Sequence, residues 1–289
     1  MNTGNSEVRA WTGYSCLAIA AIAWGFAFAF QRSAMEATGP YTFNGIRFLA
    51  AGLLVAGLSK LFGEKPSTKL LRTGLILGFF LFTGASLQQV GMQYTSAGKG
   101  GFITSLYLLF VPIGLLVFWK ERISWQSWIA LLIATIGLGL LCLTNDFSIN
   151  PGDSLVLICA LLFAFHVIVV EKLGRNCPPL ALSAIQLTAS GVCSLIVSVC
   201  VEQNRWATTA NAWPAFFYTI FVSIGLGYTL QIIGQRTVKA HTAGLIMSTE
   251  SVFAAFAGWL LLGEILTLRQ LIGAGLILLA LCLPQKKPA

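Results

Sequence analysis

The chain has 289 residues, 56% of them hydrophobic and only 10% charged, with a mean hydropathy of +0.80. An ordinary soluble domain carries roughly 25% charged residues, and this composition cannot supply the polar surface such a domain needs. The formal net charge of +8 does not point to nucleic acid, because the basic residues are scattered over short connections rather than gathered on one face.

Ten apolar windows follow in chain order, at residues 12–30, 41–60, 72–94, 99–119, 125–143, 153–171, 181–200, 212–235, 242–262 and 268–284. Most have the roughly 17 to 25 residues with which a helix crosses a hydrocarbon core of about 30 Å. The first window lacks a small-x-small cleavage site and is expected to stay as a helix rather than leave as a signal peptide. The windows are too long, and too poor in period-two alternation, for a β-barrel. Connections such as "SKLFGEKPSTKLLR" and "TNDFSINPGD" hold most of the charge, Pro and Asn and leave no room for a soluble domain. The expected fold is therefore an all-α polytopic membrane protein.

With the N-terminus inside, thirteen Lys and Arg fall on the inner side and only Arg32, Lys99, Arg205 and Arg269 on the outer. That bias predicts both termini in the cytoplasm and residence in the cytoplasmic (inner) membrane. Seven of the eight Trp lie near helix ends, as interfacial rings do, and Trp24 is the exception. The seven Cys form no CxxC pair and read as small hydrophobes, so neither a disulfide framework nor a metal site is expected.

Shifted by 143 residues, Gly84 to Ile129 aligns without a gap on Gly227 to Ile272, with 11 of 46 positions identical. Gln88 meets Gln231, Ser105 meets Ser248, and Glu121 meets Glu264. A weaker echo at 139 pairs Pro40 with Pro179 and Gly52 with Gly191. The halves, 1–148 and 149–289, look duplicated, and an odd number of five spans in each inverts the second in the membrane. Inverted repeats are a recurrent plan of secondary transporters, with the substrate site near the midplane between them.

The segments "GKGGFITSLYLLFVPIGLLVFWKERIS" and "HTAGLIMSTESVFAAFAGWLLLGEILT", each closing on a Glu, resemble the paired signatures of EamA-type transporters of the drug/metabolite transporter superfamily. The resemblance covers nearly the whole chain and implies a metabolite transporter whose first and sixth helices line a central cavity. It does not imply a substrate, since relatives export amino acids, nucleosides, drugs and other metabolites. Ser251 stands where the family commonly has Pro after the Glu of the ninth helix, which removes the proline basis for a kink there. Pro112 remains placed to kink the matching fourth helix.

Polar side chains inside spans are costly and usually face the bundle interior or a wet cavity. Glu250 leads. It lies about 12 Å into its span, too deep to snorkel, with Ala243, Met247, Ala254 and Ala257 on about the same face. It either binds a solute amine, carries a proton linked to solute movement, or serves as a structural clamp bonded to Ser, Gln or Arg. Tyr107 is its repeat mate. Gln88 and Gln231 suit helix bonding or substrate bonding, with Gln89 and Gln93 less clearly placed. Tyr228 lies one turn from Gln231. In "WGFAFAFQR", Trp24 and Phe28 share a face, and His166 beside Phe165 is a core donor or a proton relay. Arg47 is expected to reach outer headgroups or a carboxylate as a structural residue. Glu121 and Glu264 are expected to be gate or capping carboxylates paired with cations such as Arg122 and Arg269.

The leading expectation is a secondary transporter, of the export type common among relatives, moving an amino-acid-like or amine-bearing solute or a drug by alternating access. Its partners would be that solute, membrane lipid and, if Glu250 is the coupling group, protons; no nucleic acid and no cofactor are expected, and a monomer is compatible with the sequence. No Walker-type loop accompanies the spans, which argues against a nucleotide-driven pump. An intramembrane enzyme would need a nucleophile with a base or a metal cluster, and neither HExxH nor Gly-x-Ser-x-Gly is present. A channel fits poorly because the polar residues are scattered rather than ringed, and a non-transporting structural membrane protein is the remaining option.

Overall fold

The computed structural model describes residues 3–95, 97–142, 150–202, 209–263 and 265–283, and every regular element among them is helical. Among the described residues nine segments are long and apolar enough to cross a membrane: α1 (Trp11–Met35), α2 (Pro40–Leu61), α3 (Thr68–Gly91), α4 (Lys99–Trp119), α5 (Trp125–Cys142), α6 (Pro151–Gly174), α7 (Pro179–Val201), α8 (Thr209–Gln235) and α9 (Ala240–Leu261). The tenth window is a shorter apolar helix, α10 (Leu268–Cys282). Its 15 residues rise about 22 Å, less than a hydrocarbon core of about 30 Å. The first window underestimates its helix, which continues without interruption from Thr3 to Ala37.

Glycines set the closest helix crossings. At the α2–α7 contact, a Cβ on Gly52 would lie 2.7 Å from the Thr188 backbone nitrogen. At α5–α10, a Cβ on Gly137 would lie 2.7 Å from the Gly273 carbonyl oxygen, and one on Gly273 2.6 Å from that of Gly137. Small residues let backbones approach where burial of apolar surface gives no drive between helices. Several other contacts follow a pattern: α3 packs on α6 and α7, α8 packs on α1 and α2, α4 meets α6, and α1 meets α9. Each of these maps onto another when five is added to or subtracted from the helix numbers.

Two helices are interrupted at repeat-equivalent places. α4 breaks at Leu106, between Ala97–Ser105 and Tyr107–Trp119. α9 breaks at Ser248 and Thr249, between Ala240–Met247 and Glu250–Leu262. The second break needs no proline. The hydroxyls of Ser248, Thr249 and Ser251 donate to the carbonyls of Leu245, Ile246 and Ser248 at 2.8, 2.7 and 2.8 Å, satisfying backbone groups in the tightened turn. Ser251 thus supports the interruption that the missing proline argued against. Two stretches of π-helix, Val170–Gly174 at the end of α6 and Thr219–Tyr228 in the middle of α8, widen their helices, a local geometry frequent at functional sites.

Candidate functional site

Helices α1, α2, α3, α4, α6, α8 and α9 enclose a cavity of about 70 Å³. Glu250, Tyr107, Gln88, Gln231, Trp24, His166 and Tyr228 all line it, as does Phe28. These positions are separated by up to 226 residues in the chain, from Trp24 to Glu250.

The break in α9 makes Glu250 the first residue of its second half-helix, and the break in α4 does the same for Tyr107. A carboxylate at a helix N-terminus faces the positive end of the helix dipole. Glu250 is 6% exposed, and its carboxylate joins no ion pair among the described residues. The Tyr107 hydroxyl stands within reach of it but lacks good hydrogen-bond geometry to any described group. Among the described residues no Ser, Gln or Arg side chain bonds the Glu250 carboxylate, and the Ser248 and Ser251 hydroxyls bond backbone carbonyls.

An aromatic wall adjoins these two groups. Trp24 Nε1 donates to the Ser223 carbonyl at 2.8 Å, fixing α1 against the π-helical part of α8. The Tyr228 ring lies 5.0 Å from Trp24, 5.9 Å from His166 and 6.1 Å from Phe48, centroid to centroid. His166 Nε2 pairs with Gln186 Oε1 at 2.8 Å, so the imidazole is held in place at the cavity edge. Gln88 donates to Thr104 Oγ1 at 3.2 Å, and Gln231 to Gln235 Oε1 at 3.1 Å. The Gln231 Oε1 has no partner among the described residues. Gln89 lies outside the central cavity and donates to Gln31.

Sequence reasoning missed Gln31, Thr104, Ser223 and above all Arg47, which also line the cavity. Arg47 was expected at outer headgroups or on a carboxylate; it is 3% exposed and donates to Asn44 Oδ1. Its depth, seven residues into α2, was the available signal. Phe28, Gln31 and Gln88 continue into a second space of about 190 Å³ bounded by Arg32, Met35, Gln89, Met92 and Thr95.

Glu121 is remote from the cavity and pairs with Lys172 rather than with Arg122 or Arg269. The reason is tertiary: the C-terminal ends of α4 and α6 come together. Beside it, Glu171 Oε2 accepts from the Ala240 backbone N–H at 2.8 Å, and Gln235 Nε2 donates to the Val167 carbonyl at 2.8 Å. These contacts join α6 to α8 and α9 at one end of the bundle. Glu264 lies outside the described residues.

Comparison with known proteins agrees with this plan. The EamA-like transporter family matches twice, over residues 11–143 and 150–283. An uncharacterized transporter of Archaeoglobus fulgidus is 31% identical over 264 residues, covering 91% of this chain and 82% of the relative. An S-adenosylmethionine/S-adenosylhomocysteine transporter of Chlamydia trachomatis serovar L2 is 27% identical over 270 residues, 84% of this chain and 80% of the relative. The uncharacterized inner membrane transporter YedA of Escherichia coli is 26% identical over 91% of this chain and 87% of its own. A crystal structure with 15% identity shares the fold, with a TM-score of 0.79 over 93% of this chain and 95% of the other.

Proposed function

The chain belongs to the EamA-like transporter family, and from that premise we propose that this multi-pass membrane transporter exports a small amino-acid-like or amine-bearing solute by alternating access. In this reading the chain crosses the cytoplasmic membrane ten times as two inverted five-helix halves, 1–148 and 149–289, with both termini cytoplasmic. α10 is then the short crossing of the set. The exchange of contacts between helices five apart supports the inverted halves, and the charge bias supports the orientation.

The observation that carries the reading is the meeting of two repeat-equivalent half-helix starts, Tyr107 and Glu250, in one cavity. Broken helices at a midplane site are how transporter repeats present backbone dipoles and side chains to solute. Glu250 holds the solute amine or a coupled proton. Trp24 and Tyr228 cover the apolar body of the solute, and Gln88, Gln231 and His166 supply hydrogen bonds around it. The name of the chlamydial relative supports a solute of the amino-acid-like class.

In the proposed orientation, the second space beside Arg32, Met35, Met92 and Thr95 lies at the outer ends of α1 and α3. The Glu121–Lys172 and Glu171–Ala240 contacts lie at the inner ends of α4, α6 and α9. The structure described above is then an outward-facing state closed on the cytoplasmic side. Glu121 has a gating role in it, and Glu264 is assigned the equivalent role on the opposite side.

The test is solute flux in proteoliposomes. Uptake of radiolabelled amino acids and S-adenosylmethionine should be lost in Glu250→Gln and Glu250→Ala variants that insert normally. Full flux in both variants would make Glu250 structural. Flux that persists after the proton gradient is dissipated would replace coupling to protons with facilitated diffusion or exchange. Turnover of a probe without vectorial movement would instead favour an enzyme.

A further inference from the structure

Arg47 is a second charged group in the same cavity, and the reading above gives it no task. Its Nε–H and one Nη2–H donate to Asn44 Oδ1 at 3.1 and 2.8 Å. The guanidinium carbon lies 4.6 Å from the centroid of Phe43 and 5.1 Å from that of Phe48. A guanidinium has five N–H donors, so three remain without an acceptor among the described residues. The ion pairs there join Lys99 to Asp153 and Lys172 to Glu121 and Glu171, and none includes Arg47. Cation–π contacts ease the burial of a guanidinium but do not replace an anion.

The surroundings make this a held group rather than a loose one. Asn44 is three residues back along α2, one helical turn away, and fixes one edge of the fork. The two phenyl rings flank the planar group and limit its swing. A preorganised fork of this kind matches a carboxylate in a way that a lysine point charge does not. Tyr228 lines the same cavity as Arg47 and Glu250, and that cation and that anion make no pair with each other among the described residues.

Resting on the assignment of this cavity as the solute site, we propose that Arg47 is its anion-binding pole: it takes the solute's carboxylate while Glu250 faces the solute's cationic group. The transported class is then zwitterionic, with an apolar or aromatic body against Trp24 and Tyr228. An amine lacking the carboxylate is a poor ligand even though it satisfies Glu250.

Thermal stabilisation of the purified full-length chain by matched probes tests this, because a ligand of the folded state alone raises Tm according to its affinity. The pairs are L-phenylalanine against phenethylamine and S-adenosylmethionine against its decarboxylated form. A charge-assisted bond of this type predicts that the carboxylate-bearing member of at least one pair binds roughly tenfold to a hundredfold more tightly to the wild type. In Arg47→Gln that advantage should fall below about twofold, with Arg47→Lys between the two, since it keeps the charge and loses the fork. Equal binding within both pairs, or no carboxylate-dependent stabilisation by any probe, overturns the inference. Should Arg47→Gln fail to fold, the wild-type comparison still decides. The amine assignment of Glu250 fails separately, if 3-phenylpropanoate stabilises the wild type as well as L-phenylalanine does.

Discussion

If the inner ends of α4, α6 and α9 form the closed gate, removing Glu171 should open it far more readily than removing Glu121. Glu171 is 8% exposed and accepts from the Ala240 N–H at 2.8 Å. Ala240 begins the first half of α9, so this carboxylate fills one of that helix's orphan donors. Hydrogen bonds to a charged group contribute about 1.5–3 kcal/mol. Glu121, by contrast, has a side chain 43% exposed, and exposed ion pairs contribute about 0.2–1 kcal/mol. While the inward-facing state is the minor population, its share scales with the equilibrium constant. Glu171→Ala should therefore raise that share by a factor on the order of ten to a hundred, and Glu121→Gln by about fivefold at most, because 1.4 kcal/mol is a factor of ten. The reporter is Ser223→Cys, in the cavity wall, in a chain whose seven native cysteines are replaced. Its rate of reaction with a membrane-impermeant maleimide is compared in inside-out and right-side-out vesicles. The inside-out rate should rise with Glu171→Ala while the right-side-out rate changes little. An unchanged inside-out rate, or a larger rise from Glu121→Gln, would refute the gate as drawn.

Three further outcomes follow from local geometry. Ser251→Pro should insert and melt within a few degrees of wild type, because the break already lies at Ser248 and Thr249 and the only backbone bond surrendered is a long one, Ser251 N to Ser248 O at 3.3 Å; the second position of a half-helix suits proline. A chain that fails to fold would show that the hydroxyl turn and a proline are not interchangeable there. Gly137→Ala should cost about 1–3 kcal/mol, the usual cost of overpacking, since its Cβ would lie 2.7 Å from the Gly273 oxygen; Gly275→Ala, with nothing within 4 Å, is the control in the same detergent melting series. Glu202 accepts from the backbone N–H groups of Tyr41 and Thr42 at 3.0 and 2.7 Å and from the Thr42 hydroxyl at 2.8 Å. Glu202→Ala should lower Tm clearly, and equal melting of variant and wild type would count against a capping role at the start of α2.

Depth was legible in the sequence, and rotation about the helix axis was not. Hydropathy located each span because length and apolar content are read directly, and self-alignment paired Tyr107 with Glu250 because duplication preserves spacing. The same signals could not tell whether Arg47 faces headgroups or the interior, since a long side chain seven residues into a helix can do either. Its neighbours held a clue: Asn44 and Phe43 lie three and four residues before it, on the same face. A snorkelling arginine needs neither an acceptor nor rings. Partner choice for Glu121 was likewise out of reach, because Lys172 is 51 residues away and meets it only when α4 and α6 converge. The interruption of α9 was masked for a different reason. The sequence signal for a kink is proline, whereas this break uses three hydroxyls that are also common in uninterrupted helices.

Under the proposed function, the arrangement of charge suits a solute cavity better than a structural polar clamp. A helix N-terminus stabilises a carboxylate by about 0.3–1 kcal/mol, up to about 2 kcal/mol where partly buried. Burial of an ion costs several kcal/mol after relaxation, so the dipole leaves most of that cost standing whenever Glu250 is ionised, and a bound proton or a solute cation removes it. Arg47 is in the same position, since one amide oxygen and two rings fall short of a counterion. A clamp would remove both deficits at once by bringing the two side chains together. Among the described residues no ion pair joins them, yet both line the same space, and under the proposed function the missing compensation comes from the solute that enters it.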